Sequence, residues 1–418
     1  MNVLNRIQES QTTQTSWWNR LLLATCLVMM GVFSLAASAH NDNAYAYETS
    51  LGISHPDWMS GLPNEMRLSD MSLVMTHDTM TYSIDDGGAQ GTSPVTQQMS
   101  LQTQLDSGIR AFDIRLRWIP SEAKFRIYHG LDDTGFYFER DVLNVFETFL
   151  DQHPTETIVM SILHEWEAQL ADDTIHLGFN NLLSNIISNH ANSFWNGTGI
   201  NPTLGETRGK IIMVRKFTDS VNGTSFSYPG IQWDDFDSYL DYSFPDSAEG
   251  LSAKWQGVKK HLNKVAAGSG NTLYVTNLNM AFVGSKPWFS ASGHAEKWTD
   301  SDHSIVGFAI ANNRFTDGFG RATCPFPLLP DCIYFLGMNN LTLTHIMADA
   351  MQETYRTGIL NVDFPGGQFI EVMIELNYDR AEVLDTRSDN IVWRYTPSGQ
   401  YHLWHMDNGV HQSGVDTN

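Results

Sequence analysis

Four short stretches hold side chains able to move protons and to grip an anionic ester. They are Thr76-His77-Asp78, Phe112-Asp113-Ile114-Arg115, Tyr128-His129-Gly130, and Asp363 after Ile359-Leu360-Asn361-Val362. Two imidazoles, one guanidinium and two or three carboxylates suit phosphoryl transfer. One imidazole takes a proton from an attacking hydroxyl while the other protonates the leaving oxygen. The guanidinium holds the charged phosphoryl oxygens. Each group also has an ordinary structural reading: a hydrogen-bonded loop histidine, an Asp113–Arg115 ion pair, a turn capped by Asp363. The chemical reading gains weight because four separate strand ends carry unusual polar groups. No His-Glu-x-x-His spacing occurs, and no metal or other cofactor is expected.

Strands alternating with helices would have to position these groups. Apolar, β-branched runs predict strands at 73–76, 111–116, 125–128, 157–163, 210–214, 272–276 and 359–363. Helical spacing is read at 101–107, at 141–152 with Asp141 as cap, and at 177–189, 253–265 and 341–355. Asp113 and Arg115 share one strand face because side chains alternate. This order indicates a parallel α/β barrel or a doubly wound sheet. The barrel is favoured, since groups at strand C-termini then converge on one mouth.

The chain has 418 residues and a formal charge of −22, a field that repels phosphate backbones and argues against a nucleic-acid partner. It also disfavours tight docking on strongly anionic membranes. Arg6 and Arg20 precede an apolar run, Leu21 to Ala37, followed by Ala37-Ser38-Ala39. That layout predicts a signal peptide over 1–39, export after cleavage near Ala39, and a secreted or periplasmic protein. The mature chain keeps Cys324 and Cys332, whose short loop is expected to close as a disulfide in an oxidising compartment. Segment 281–338 reads as a loop-rich elaboration of a 40–380 barrel domain.

The quoted residues resemble the bacterial phosphatidylinositol-specific phospholipase C family. Met75-Thr-His-Asp78, Gly108-Ile-Arg-Ala-Phe-Asp-Ile-Arg115, His129-Gly130, His153-Pro-Thr-Glu-Thr-Ile-Val-Met-Ser161, Gly209-Lys-Ile-Ile-Met-Val-Arg-Lys-Phe217 and Gly358-Ile-Leu-Asn-Val-Asp-Phe364 keep the family's order. The resemblance implies an irregular (β/α)8 TIM-type barrel that needs no metal. It implies His77 as general base with Asp363 orienting it, His129 as general acid, and Asp113 as that acid's carboxylate partner. Arg115 stands for the arginine that does the work of calcium in eukaryotic relatives, and Asp78 for a carboxylate beside the base. Lys216, or its neighbour Arg215, matches a basic inositol contact, and Asp234 or Asp235 a hydroxyl-binding carboxylate. An inositol phospholipid or glycosyl-phosphatidylinositol would be the substrate, met transiently at a membrane surface by a monomer.

The chain departs from the family at Met160-Ser-Ile-Leu-His-Glu165, where Leu163 replaces a sugar-contacting lysine and His164 and Glu165 are unmatched candidates. Trp288 and Phe289, after Pro287, are read as a mouth loop touching lipid or inositol. The tail, 381–418, is read as a Trp-rich β-hairpin turning at Pro397-Ser398-Gly399. Two rival readings remain: a metal-dependent glycerophosphodiester or sphingomyelinase D-type phosphodiesterase, and a non-catalytic lipid- or glycan-binding barrel.

Overall fold

Eight short apolar runs become the parallel strands of one sheet: β1 (Ser72–Thr76), β2 (Ala111–Ile119), β5 (Thr157–His164), β6 (Lys210–Lys216), β9 (Ile231–Gln232), β10 (Phe236–Tyr239), β11 (Leu273–Asn277) and β14 (Gly358–Val362). Their order is β10-β11-β14-β1-β2-β5-β6-β9. β1, β11 and β14 are buried along their whole length, as strands covered on both faces must be. The covering helices are α1 (Leu101–Asp106), α2 (Asn144–Gln152), α3 (Asp173–Asn189), α4 (Leu204–Thr207), α5 (Ala248–Ala267), α6 (Pro287–Ser292), α7 (Met338–Asp349) and α8 (Gly367–Leu384). The computed structural model describes residues 44–84, 94–165, 172–197, 199–243, 248–268, 270–279, 287–292, 321–322, 332–333, 337–349, 355–384, 391–395, 401–407 and 410–417. The expected leader, 1–39, lies outside them, and so does Cys324 with the expected disulfide.

The barrel is open at one seam. Between β9 and β10 the chain has only a 3₁₀ turn, Trp233–Asp235. Parallel neighbours need a crossover of roughly a dozen residues or more, so three cannot return the chain for a ladder. Among the described residues none joins β9 to β10.

The expected third barrel strand is corrected. β3 (Lys124–His129) runs antiparallel to the end of β2 and pairs on with β4 (Asp132–Tyr137), a flap standing off the barrel rim. β2 outlasts its parallel neighbours, and the turn at 120–123 folds the chain back along it. The helix expected from Asp141 starts later, at Asn144, after a π-helical turn, Phe138–Leu143. Asp141 does not cap it; its Oδ2 accepts the Tyr137 N–H at 2.7 Å, before the π-turn. Outside the barrel lie two short ladders, β7 (Ser220–Val221) with β8 (Thr224–Ser225), and β12 (Arg321–Ala322) with β13 (Cys332–Ile333).

The expected tail hairpin gains a strand. β15 (Ile391–Tyr395), β16 (Tyr401–Asp407) and β17 (Val410–Thr417) form an antiparallel sheet. Asn408-Gly409 separates the last two, a pair that strongly favours a two-residue hairpin turn. Helix α8 meanwhile runs to Leu384, across the expected boundary at 380/381.

One buried cation ties the closed end together. Arg110, just before β2, is fully buried, and each of its nitrogens donates. Nε bonds Glu156 Oε2 at 2.9 Å; Nη1 bonds the Leu105 and Ile109 carbonyls at 2.7 and 2.9 Å; Nη2 bonds the His55 and Pro56 carbonyls at 3.1 and 2.7 Å. Glu156 in turn accepts the Met59 N–H. The guanidinium thus joins the leading segment, α1, β2 and β5 at the end away from the mouth. Removing one partner of such a pair strands a buried charge, so Arg110→Ala should cost about 3–5 kcal/mol in chemical denaturation. Arg110→Lys should recover little, because one ammonium cannot meet five acceptors. A loss under 1 kcal/mol for either variant would show that the carbonyls find other donors.

Candidate active site

Parallel register places the chemistry on one wall. Partners in a parallel ladder point to the same face, so Met75↔Ala111, Asp113↔Ser161, Arg115↔Leu163 and Leu163↔Lys216 set a common interior side. Met75↔Asn361 extends it to β14. Asn361↔Asn277 carries it to β11. Counting in twos, His77, Asp113, Arg115, Lys216 and Asp363 all reach the interior at the strand C-termini. His129 arrives from the flap.

Two strand ends break sharply to hold these groups. Asp78 and Phe364, each following an interior residue, have φ of 44° and 46°. Non-glycine residues avoid this left-handed region, at a cost of order 1–3 kcal/mol each, and persist there only when surroundings force them. Buried side chains supply that force. Thr96 Oγ1 and Gln97 Nε2 donate to the His77 carbonyl at 2.8 and 3.0 Å, and Gln97 Nε2 also donates to the Val362 carbonyl at 2.9 Å. Asn339 Nδ2 donates to the Asp363 carbonyl at 2.9 Å.

The side chains then form one continuous cluster. His77 Nδ1 donates to Asp363 Oδ1 at 2.8 Å, leaving its Nε2 lone pair toward Arg115 Nη2, also 2.8 Å away. Asp78 Oδ2 stands 3.2 Å from His77 Nε2 and 3.3 Å from His129 Nε2. His129 Nδ1 donates to the Pro94 carbonyl at 2.6 Å, which fixes its tautomer. Arg115 Nε lies 2.5 Å from Asp78 Oδ1, and Arg115 Nη2 donates to Asp113 Oδ2 at 3.0 Å. Glu165 Oε1 accepts the Gly130 N–H at 2.6 Å, and its Oε2 is 3.9 Å from Arg115. The carboxylate beside His129 is therefore Asp78. Asp113, expected in that role, holds Arg115 instead, because it lies on the same strand face two residues away.

Burial dominates the electrostatics. It pushes His77 well below the usual imidazole range, with Arg115 adding to the effect. His129 is lowered for the same reasons, against its bond to Pro94. Burial raises Asp363 well above the usual carboxylate range, with Asp78 adding. It also lifts Asp78 to about 8, although Arg115 opposes. At Asp113 burial is outweighed by Arg115 and then Lys216, leaving that carboxyl low. Arg115 is held charged by Asp78, Asp113 and Glu165 despite burial. Donor atoms of His77, Asp78 and Asp113 come within 4.8 Å of one another, the spacing of a cation site. The guanidinium of Arg115 contacts all three.

Register also separates the paired candidates. Lys216 faces the interior, its Nζ 4.2 Å from the centre of the Trp233 ring, with burial lowering its pKa. Arg215 faces outward and pairs with Asp219 at 3.3 Å, so it does not reach the cavity. His164 is likewise outward, stacked on Phe179 at 4.0 Å. Asp234 and Asp235 are exposed on the 3₁₀ turn at the seam. Trp288 and Phe289 correct their expectation most plainly. Pro287 opens helix α6, a favoured position for proline, and both rings are buried in the hydrophobic core rather than on an open loop.

Three groups went unread in the sequence. Tyr242, just past β10, feels the charges of Arg115, Asp113 and Asp78, and burial raises its pKa. Asn279, two residues past β11, is beside it. Lys254 on α5 is fully buried, donates to the Asp241 carbonyl at 2.9 Å, and is pushed down to about 7 by burial. It anchors the turn that carries Tyr242. Tyr242 and Asn279 follow strands without charged flags, so only the assembled barrel reveals them.

The family described as phosphatidylinositol-specific phospholipase C, X domain, matches residues 71–217, the stretch holding His77 through Lys216. The 1-phosphatidylinositol phosphodiesterase of Staphylococcus aureus (strain NCTC 8325 / PS 47) is 28% identical over 291 residues, 63% of this chain and 81% of that protein. The protein of that name from Listeria monocytogenes is 31% identical over 205 residues, 46% of this chain and 59% of its own. Among solved structures, phosphatidylinositol-specific phospholipase C from Listeria monocytogenes superposes with a TM-score of 0.56 at 23% identity, covering 78% of this chain and 99% of that one. A Staphylococcus aureus counterpart gives 0.54 at 21% identity, covering 78% and 99%. These likenesses establish the shared barrel. The X-domain match lies over the strands that carry the clustered histidines and Arg115, so residues 71–217 are similar to the phosphatidylinositol-specific phospholipase C X domain and the barrel around them is shared with the bacterial enzymes of that name.

Proposed function

We propose that the protein cleaves the diacylglycerol–phosphate bond of an inositol phospholipid, as a phosphatidylinositol diacylglycerol-lyase. The observation that carries this is the pair of histidine Nε2 atoms flanking one Asp78 oxygen, with Arg115 against the same carboxylate. His77, neutral and oriented by Asp363, takes the proton of the inositol 2-hydroxyl. The 2-oxygen attacks phosphorus, and the phosphorus–glycerol oxygen bond breaks. His129 gives the departing diacylglycerol oxygen a proton that it holds jointly with Asp78. Arg115 binds the phosphoryl oxygens as their charge rises. The tethered hydroxyl supplies an intramolecular advantage, and the products are a cyclic inositol phosphate and diacylglycerol. Lys216 is the basic head-group contact. Export after cleavage near Ala39, action as a monomer and transient binding to a membrane surface belong to the same reading.

Three tests bear on it. His77→Ala should abolish release of cyclic inositol phosphate while lipid-vesicle binding persists; full turnover without His77 would dismiss the two-histidine mechanism.

The pH dependence follows from the signs. His77 must be neutral, and its lowered pKa sets the acid limb well below 6.5. The Asp78–His129 proton must be present, and Asp78, raised to about 8, holds it until the pH rises past that value. A bell-shaped kcat/KM profile with an alkaline limb near 8 is expected. Asp78→Asn leaves the proton to His129 alone, whose pKa is lowered, so the optimum should move toward acid. An unchanged alkaline limb in Asp78→Asn would place the proton elsewhere.

Arg115→Ala should lose roughly 2.7–4 kcal/mol of transition-state stabilisation, about 10²–10³ in kcat, by analogy with loss of an oxyanion donor. Arg115→Lys should stay well below wild type, because lysine lacks the planar fork. Wild-type activity should survive a chelator. Activity lost in chelator together with a near-normal Arg115→Ala would favour the metal-dependent rival.

A further inference from the structure

Resting on the reading above, we propose that Arg117 positions the general acid, by fixing the flap turn on which His129 stands. Unlike His77, Asp113 and Arg115, His129 is not carried by a parallel strand of the barrel. It ends β3 and pairs with Asp132 across the turn Gly130-Leu131, so it keeps its place only as well as the flap does. Gly130 has a φ of 58°, a left-handed conformation that glycine adopts freely at the first centre of a two-residue hairpin turn. The N–H and C=O of that glycine lie outside the β3–β4 ladder. Both are taken by side chains from the barrel rim. Glu165 Oε1 accepts the N–H at 2.6 Å, and Arg117 Nη2 donates to the C=O at 2.5 Å.

The two grips come from neighbouring strands. Leu116 pairs with His164, so Arg117 and Glu165 are the next residues of β2 and β5. Glu165 N–H donates to the Leu116 carbonyl at 2.8 Å, which carries the ladder that far. A cation and an anion side by side thus hold the two polar groups of one glycine, each through a charge-assisted bond. Arg117 has a second hold. Register pairs it with Arg126, which puts it on the Tyr128 face of β3, the face opposite His129. Its guanidinium carbon lies 4.0 Å from the centre of the Tyr128 ring. One side chain on β2 therefore touches the residue before His129 and the residue after it, bracketing the imidazole from behind. Two residues earlier on the same strand, Arg115 binds Asp78, whose Oδ2 is 3.3 Å from His129 Nε2. β2 thus places both the acid and the carboxyl group with which it shares a proton.

A general acid matters only when the leaving oxygen needs a proton, and the test exploits this. In phosphatidylinositol the departing diacylglycerol oxygen takes that proton as its bond to phosphorus breaks. In the para-nitrophenyl ester of inositol 1-phosphate, the phenolate leaves as a stable anion, while His77 still takes the proton of the 2-hydroxyl. Arg117→Ala should lose about 10²-fold in kcat on phosphatidylinositol in detergent micelles, the scale of a displaced catalytic group, with KM nearly unchanged. On the nitrophenyl ester it should stay within about 3-fold of wild type, because that step asks nothing of His129. His129→Ala should show the same selectivity with a larger loss on the lipid. Arg117→Lys should recover part of the rate, since an ammonium can reach the Gly130 carbonyl but cannot also lie flat on the Tyr128 ring. Turnover of the ester also reports that each variant is folded. Equal losses on both substrates by the two Arg117 variants, or undiminished lipid turnover by Arg117→Ala, would each overturn the proposal. A wild type that cleaves no phosphatidylinositol would instead overturn the functional reading, and this inference with it.

Discussion

The arrangement turns on one guanidinium inside a ring of carboxyl groups. Arg115 meets Asp78, Asp113 and Glu165 and also donates to His77. Without that fixed positive charge, three buried acids at such spacing would mostly be neutral, since like charges in a low-dielectric site disfavour ionisation. With it, Asp113 stays ionised while Asp78 keeps its proton to about 8. Two carboxyls in one cluster thus carry different protonation states. In the proposed reaction, that difference lets one histidine act as base and its neighbour deliver a proton.

Position follows from the same constraint. A guanidinium on a strand can reach carboxylates on adjacent strand ends only if the register is fixed, and a slip of one residue would turn Arg115 out of the barrel. The parallel ladders hold that register over β14, β1, β2, β5 and β6. Arg110 secures β2 from the opposite end. The same strand therefore carries a structural arginine at its entry and a chemical one further along. The first is satisfied by five protein acceptors, whereas the second is left partly facing the cavity.

Much of this was legible in the sequence. Strands whose buried runs end in His, Asp or Arg announce both an element and its chemistry, so His77, Asp113, Arg115 and Asp363 were readable together. The flap was not, because period and composition do not distinguish an antiparallel strand from a parallel one at 124–129. The resemblance implies Asp113 as the partner of His129, whereas the left-handed turn at Asp78 brings its carboxylate between the two imidazoles. Trp288 and Phe289 misled because aromatic residues after a proline read equally well as a loop tip and as the first turn of a buried helix. Tyr242 and Asn279 carry no charge and follow short strands, so the hydrogen bond between them and the pull of Arg115 on Tyr242 emerge only in the assembled barrel.

The open seam has a lysine held over an aromatic ring on each side. A closed ring would surround the cavity with paired strand ends, each committed to its neighbours. Here β9 stops after two residues and the chain turns at Trp233, whose ring packs under the Lys216 ammonium. Burial disfavours that ammonium, and the ring's negative face compensates in part. Across the seam, Lys254 on α5 bonds the Asp241 carbonyl, its Nζ 4.9 Å from the centre of the Tyr239 ring and 5.8 Å from that of Tyr242. Its charge acts on His77 and Asp363, as that of Lys216 acts on Asp113 and Asp78. Positive charge therefore reaches the cluster from both sides of the seam. A phosphodiester needs positive partners beside phosphorus, and Arg115 stands within the carboxyl cluster with Lys216 on one side of the seam and Lys254 on the other.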